Sequence, residues 1–510
     1  MDTIIYGNIY TMNRDMPFAE AVGIKDGSIC YVGSRKGIEG TEAAEILDYS
    51  GKTLMPGFID THVHVIPSGI FMEGANLSDV SDINEIKKIL KEKASGMSKG
   101  EWVIGAFFQD KLIKEKRFPT RWELDEVSVE HPIFVCHNDT HPFSFNTKAL
   151  ELINPDPEGD GIEVDEKGEL TGVIKDPACM SMLETVYNCF SDEALINGCK
   201  TVDEHAVSNG ITTVFGKDSL RVLKLREKNK SSFKAEFVPM WMASTCDNLE
   251  GMKELQADES LKDNTCVCVF ADGAFDGYSA SVIEPYEERP TEFGILTHTD
   301  EQLYDFAMEA RRNGMQFSCH AIGDHAIEQV LRVYEKVLKD NPNEDHRFRI
   351  EHFELPTKAS IKKAAELGVA LGMQPLLIEI CEGMDLSGYS CFIGDRAGKC
   401  SPYRSILDEG ILVGGGTDFP VTPMKPLHGA RIAMTQPNVS ERITLMECLE
   451  MNTSNAAKMG FLEDRKGMIK EGLDADIIML SRNPFEVSTE ELSNIDVEKT
   501  FCKGKLVFEK

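Results

Sequence analysis

A chain of 510 residues with 42% hydrophobic content is too long for one small core and suits a large α/β domain with an accessory lobe. Its formal charge of -31, from 85 acidic against 54 basic residues, argues against a nucleic-acid or anionic-membrane surface, which needs a basic patch. The first residues lack the basic start and apolar core of a signal peptide, and no run approaches the ~20 apolar residues of a membrane span, so a cytoplasmic protein is expected. Its 14 cysteines, scattered without C-x-x-C pairs, then read as small buried hydrophobes of a reducing compartment.

Residues 1–54 alternate short apolar runs with turn signals: Thr3 to Tyr6, Ala21 to Ile24, Asp26-Gly27, and Ile29 to Val32 before Gly33. That pattern predicts small antiparallel strands. A short apolar strand follows, and its end, Phe58-Ile-Asp-Thr-His-Val-His64, carries two histidines one residue apart. In extended backbone alternate side chains share a face, so His62 and His64 point the same way and are able to hold one metal ion. An isolated H-x-H is weak evidence, and its ordinary reading is surface or turn structure; partners at other strand ends would be needed.

More than a hundred residues then separate His64 from the next comparable strand, so residues 70–190 read as an insertion, with a helix near Ile83 to Ala94 and strands such as Trp102 to Phe107 and Pro132 to Cys136. It is expected to cover the active site. Beyond it the chain alternates strand and helix. Strands are predicted at Ile211 to Phe215, Ala235 to Met242, Cys266 to Ala271, Met315 to His320, Arg347 to His352, Gly368 to Gln374 and Ile411 to Asp418. With the strand at 58–64 these make eight, the number that closes a (β/α)8 barrel. Helical patterns fall at Asp192 to Asn209, Asp300 to Asn313, Ala326 to Asp340, Lys358 to Leu367 and Pro402 to Glu409. From about 467 the β pattern returns, in Asp476 to Leu480 and Val497 to Lys510 around a turn at Lys503-Gly504-Lys505. The expected organisation is therefore a TIM-like α/β barrel from residues 55–69 and 191–466, a small β-sandwich from residues 1–54 and 467–510, and the insertion.

Barrel active sites lie at the C-terminal ends of the strands. Here strand five ends at His320, strand six at His352 and strand eight at Asp418, which with His62 and His64 would converge on one rim. Each alone has an ordinary reading as a packing or turn-capping residue. Together, imidazole nitrogens and one carboxylate are a donor set that zinc, iron, manganese or nickel accepts, with open positions left for water. Water held by such an ion deprotonates near neutral pH, and Asp418 would accept and return protons.

The motifs Pro56 to His64, Asp272-Gly with Ala280 and Glu284-Pro-Tyr286, His320-Ala-Ile-Gly-Asp324, Arg349-Ile-Glu-His352, Gln374-Pro375, Tyr403-Arg404-Ser405, Gly416 to Pro420 and Gly472 to Asp476 resemble those of the amidohydrolase superfamily, in its N-substituted formamide deformylase-like branch. The resemblance covers nearly the whole chain. It implies a TIM-like barrel, a terminal β-sandwich and hydrolysis of a C–N bond; His62, His64, His320 and His352 match the family's metal ligands, and Asp418 matches its metal-bound general base. Four residues before the Asp-Gly pair the family carries a lysine that can be carboxylated to bridge two metals, where this chain has Cys268. Cys268 is read as a thiolate bridge, as a pocket wall beside a single ion, or as a buried apolar filler. Lys217, just past the second strand, could in principle supply a displaced carbamate, but the ordinary expectation is that a strand-end lysine keeps its head in water. Where the family often has glutamate, Thr171 to Asp176 ends in the shorter aspartate. His141 and Asn146 match a family signature that closes over the pocket, and Arg404 is a candidate for a substrate carboxylate or carbonyl, with a surface salt bridge as its ordinary reading.

The chain is thus expected to hydrolyse an amide-type C–N bond (N-acyl, N-formyl or cyclic amide) of a small molecule, with one or two divalent ions, zinc first and manganese, iron or nickel as alternatives. The same site would also suit lactone or ester hydrolysis or isomerisation, and the cysteine at 268 leaves open an inactive metal-binding scaffold. No nucleic-acid or membrane partner is expected, and a homodimer is left open.

Overall fold

The computed structural model describes the chain apart from residues 138–141, 176–177, 244–248, 262–264 and 343–344 and the side chains at 180, 181, 183, 184 and 249. It divides into two compact units, Met1–Val63 with Asp203–Lys510, and His64–Val202. Among the described residues the strands form three sheets, of seven, six and eight strands.

The eight-stranded sheet takes its strands in chain order: Phe58–Val63, Ile211–Asp218, Glu236–Met242, Cys266–Phe270, Gln316–Ala321, Arg349–His352, Ala370–Met373 and Val413–Gly415. Every neighbouring pair is parallel, and a parallel bridge from Val63 to Phe419 brings the last strand to the first, so the sheet is a nearly closed TIM-like barrel. All positions of Ile211–Asp218 are buried, as befits a strand covered on both faces. Side chains alternate in the fourth strand: Val267 and Val269 join the outer apolar core with Leu223 and Phe306, while Cys266 and Cys268 join an inner cluster with Phe215 and Met240. The covering helices are amphipathic; in Asp324–Asp340 the buried stripe runs Ile327, Val330, Leu331, Tyr334, Val337. Caps set their ends: a Thr299/Gln302 capping box starts Asp300–Arg312, and Gly368 at φ 67° closes Lys358–Leu367.

The eighth strand is shorter than the Ile411 to Asp418 run expected from sequence. The glycine just past it permits a close approach: a Cβ on Gly416 would lie 2.6 Å from the Cβ of His62. Any larger residue would push the last strand off the first, and with it Asp418.

The two chain ends pair as one seven-stranded sheet, in the order Lys505–Glu509, Val497–Cys502, Ile477–Leu480, Glu45–Pro56, Thr3–Tyr10, Phe18–Lys25, Ser28–Gly33. Glu45–Pro56 holds it together, running parallel to Thr3–Tyr10 and antiparallel to Ile477–Leu480. The sequence pattern misses this strand because its first eight residues are largely exposed and only the last four are buried. Separate apolar clusters lie around Ile5, Val22, Leu54 and Phe501 and around Ile4, Tyr6, Ala21 and Ile38.

Glu236, at the start of the third barrel strand, is tied to the C-terminal segment. Its carboxylate meets Arg465, with Lys466 Nζ at 3.3 Å and Lys503 Nζ at 3.6 Å. Burial alone would raise its pKa, but Lys466, Arg465 and Lys503 outweigh it and draw the carboxyl down to about 2. A carboxyl whose folded pKa lies below its unfolded value, ~4.3, stabilises the fold above that value and loses the contribution as pH falls toward 2. Glu236→Gln is therefore expected to cost about 1–3 kcal/mol at neutral pH, and urea titrations should show the gap to wild type narrowed at pH 3. An equal gap at both pH values would contradict the assignment.

In the unit His64–Val202 the six-stranded sheet is ordered Ile162–Val164, Leu170–Ile174, Phe143–Phe145, Ile133–His137, Val103–Phe108, Ala75–Asn76. Helix Ile83–Ala94, capped by Asp82, buries Ile83, Ile86 and Leu90. These residues share a core with Val103 and Val135.

Candidate metal centre

His62, fully buried, lies one residue before the end of the first strand, and His64 follows as the N-cap of helix Val65–Glu73. Asp418 stands just beyond the glycine-rich eighth strand in a left-handed conformation, φ 56°. One ligand atom from each of His62, His64 and Asp418 lies within 4.8 Å of the others. The Asp418 amide donates to the His62 carbonyl at 2.8 Å, and its Oδ1 is 3.1 Å from His62 Nε2. Asp60 pins this junction: its carboxylate accepts from the Thr417 amide at 2.9 Å, the Thr417 hydroxyl at 2.6 Å and the His62 amide at 3.2 Å. Burial still pushes Asp60 up to about 6.

Glu351 lies deeper in the barrel. Its Oε2 is 2.8 Å from His62 Nδ1, and its Oε1 accepts from Ser318 Oγ at 2.7 Å and pairs with Arg349 Nη2 at 2.8 Å. Burial would raise the Glu351 pKa, but the charges of Arg349 and Lys217 and the bond to His62 hold it well below the usual carboxylate range. An ionised Glu351 favours the proton on Nδ1 of His62, which Gln374 Nε2 also approaches at 3.0 Å, and that tautomer turns the Nε2 lone pair toward Asp418. Sequence reasoning passed over Glu351 and Asp60, although Arg349-Ile-Glu351 places two charged residues on one face of a buried strand.

His320 and His352 complete the polar rim. The ring of His352 lies 5.0 Å from that of His62 and 4.4 Å from that of His320, centroid to centroid. His352 sits at φ 71°, a left-handed turn at the strand's end. Nδ1 of His320 and Nδ1 of His352 are buried without a hydrogen-bond partner among the described residues. Asp272 Oδ1 is 3.3 Å from the His320 nitrogen, and the Asp272 carboxylate takes the amides of Ser281, Ile322 and Gly323. Burial and the neighbouring His320 hold the His352 imidazole neutral, the form that can donate a lone pair to a metal.

Cys268 is outside the compact group of donor atoms. It pairs in register with Ser318, two residues short of His320, and burial pushes its thiol pKa up while Lys217 pulls it down. Lys217 departs from the solvated strand-end lysine expected, because the strand runs on to Asp218 and leaves Lys217 1% exposed.

Of the residues expected to touch substrate, His141 lies outside the described residues. Asn146 is fully buried; its Oδ1 accepts the amides of Ile133 and Ala149, both at 2.9 Å, and its Nδ2 donates to the carbonyls of Ser128 and His131, both at 2.9 Å. A reach toward substrate would break these bonds. Arg404 pairs with Asp408 at 2.8 Å and Glu447 at 2.6 Å, the salt-bridge arrangement.

Imidazole nitrogens and carboxylate oxygens this close, with two buried imidazole nitrogens that make no hydrogen bond among the described residues, fit a divalent ion. The family model described as Amidohydrolase family matches residues 45–508. The chain belongs to the amidohydrolase family. It is 29% identical to the putative amidohydrolase YtcJ of Bacillus subtilis over 99% of this chain and 98% of that one, and 30% identical to the protein LONG AFTER FAR-RED 3 of Arabidopsis thaliana over 98% and 90%. It is 27% identical to the N-substituted formamide deformylase of Arthrobacter pascens over 99% and 98%. Its fold is similar to that of an uncharacterized metal-dependent hydrolase from Pyrococcus horikoshii, with a TM-score of 0.81 at 23% identity over 96% of this chain and 99% of that one. As an amidohydrolase the protein is a metal-dependent hydrolase of amide-type carbon–nitrogen bonds.

Proposed function

We propose that His62, His64, His320, His352 and Asp418 hold the divalent metal of this amidohydrolase, zinc before manganese, iron or nickel, and that the substrate is a small N-acyl, N-formyl or cyclic amide. The observation that carries the reading is the approach of His62, His64 and Asp418 to within 4.8 Å. When bound, the ion polarises the amide carbonyl and makes water acidic enough to attack it. Asp418 takes the proton from the attacking water and returns it to the leaving nitrogen, which departs as the neutral amine. Glu351 holds His62 in the tautomer that presents Nε2, Asp60 fixes the spacing of His62 and Thr417, and Asp272 steadies the loops around His320. Every described cysteine is a free thiol, which suits a cytoplasmic setting.

The test is turnover of N-formyl, N-acyl and cyclic amides with lactones alongside, before and after a chelator. Amide hydrolysis should disappear on metal removal and return with zinc or manganese. Lactone turnover without amide turnover, or amide turnover indifferent to the chelator, would overturn the reading.

A further inference from the structure

The sixth barrel strand ends in a turn that brings two of its own polar side chains together. His352 and Phe353 both take left-handed backbone, φ 71° and 53°, and the amides of Phe353 and Leu355 donate to the carbonyls of Ala321 and Ile322, each at 3.1 Å. Past this turn Oε1 of Glu354 stands 3.7 Å from Nδ1 of His352. Both residues are buried, and neither of these two atoms makes a hydrogen bond among the described residues.

The rest of Glu354 is held from outside the strand. Its Oε2 accepts the hydroxyl of Tyr389, on helix Ser387–Ile393, at 2.7 Å, and its main-chain carbonyl accepts the Ser401 amide at 2.8 Å. The Tyr389 ring meets Phe275 edge-on at 4.9 Å, in one apolar cluster with Leu355. Glu382, the other buried carboxyl nearby, takes the Ser401 hydroxyl. Asp272, beside His320, is different, because the amides of Ser281, Ile322 and Gly323 already occupy it.

A buried acceptor and a buried ring nitrogen, each left unpaired, are both costly, and each supplies what the other lacks. A neutral imidazole has one N–H and one lone pair, so a proton on Nδ1 leaves the lone pair on Nε2. The 3.7 Å gap is about half an ångström beyond a hydrogen bond, which a small rotation of either side chain closes.

We infer that Glu354 is the positioning residue of His352: Oε1 accepts the Nδ1 proton and so presents Nε2 to the divalent ion, while Tyr389 holds the carboxyl in place. The role needs a lone pair on Oε1 rather than a charge. It rests on the metal-hydrolase reading above, in which His352 is a ligand.

Full-length Glu354→Leu and Glu354→Gln are compared with wild type, with zinc affinity read by competition against a chromophoric chelator and stability by urea titration of the metal-free protein. Leucine should weaken zinc binding about 10–100-fold. Glutamine keeps a carbonyl acceptor and should stay within about threefold of wild type. Proton NMR of the cobalt-loaded wild type should show a hyperfine-shifted, slowly exchanging imidazole N–H that glutamine keeps and leucine loses. If the leucine variant does not fold, Tyr389→Phe, which leaves Glu354 without its hydroxyl partner, should speed exchange of that same proton. A merely structural Glu354 would change stability and leave the N–H exchange as it was. Zinc affinity unchanged by leucine, an equal loss in both variants at 354, or exchange indifferent to Tyr389→Phe overturns the inference alone, provided amide turnover still depends on metal. A wild-type chain that binds no divalent ion overturns the functional reading, and the role of Glu354 with it.

Discussion

Asp418→Asn is expected to lower kcat on an amide substrate by about 100–10,000-fold while the protein stays folded. Asparagine matches aspartate in size and is among the few residues at home in left-handed backbone, so the φ of 56° at this position is retained. The main-chain bond from residue 418 to the His62 carbonyl, 2.8 Å, does not depend on the side chain. What changes is the charge: an amide cannot take the proton of the attacking water or pass it to the leaving nitrogen, and it is a poorer donor to a divalent ion. Thermal melts should therefore overlay within a few degrees, metal should remain bound with reduced affinity, and the loss should appear in kcat at saturating metal. A variant that turns over within about threefold of wild type at saturating metal would remove Asp418 from proton transfer.

The barrel was legible because parallel strands buried on both faces announce themselves as apolar runs, as Ile211–Asp218 and Cys266–Phe270 do. Glu45–Pro56 was not legible, since a strand that is mostly solvent-facing lacks that signal and is fixed by pairing with two partners distant in sequence. The eighth strand was overestimated because three consecutive glycines obscure where the extended run stops, and what they provide is room beside His62.

At the site, alternation suggested that His62 and His64 share a face and strand ends suggested His320, His352 and Asp418, and the structure brings His62, His64 and Asp418 together. The supporting charges were harder to find. Lys217 looked solvated because Phe215-Gly-Lys-Asp218 resembles the end of a strand, yet its pairing with Met240 keeps it inside the sheet. Asn146 and Arg404 were matched by motif, but a motif does not show how a side chain's hydrogen bonds are used; Asn146 caps helix Thr147–Ile153 and Arg404 pairs with two acidic residues.

Glu351→Leu should separate two roles that one carboxylate performs. Arg349 and Glu351 are both fully buried, and removing one partner of such a pair leaves an uncompensated charge that costs about 3–5 kcal/mol. Among the described residues, Arg349 would keep its bond to the Thr61 carbonyl at 3.0 Å. His62 would lose the acceptor at Nδ1 that fixes its tautomer, and metal affinity should fall about 10–100-fold. Adding Arg349→Met removes the stranded cation, and because apolar replacement of a whole buried pair is often neutral, the double variant should regain most of the stability. It should not regain the metal affinity, since nothing in the second substitution restores an acceptor for Nδ1. Denaturant titration of metal-free protein reads the first quantity and competition with a chromophoric chelator reads the second. If both recover together in the double variant, the weak metal binding was a consequence of lost stability, and Glu351 does not orient His62; if stability recovers alone, the ion pair and the tautomer are independent contributions of the same side chain.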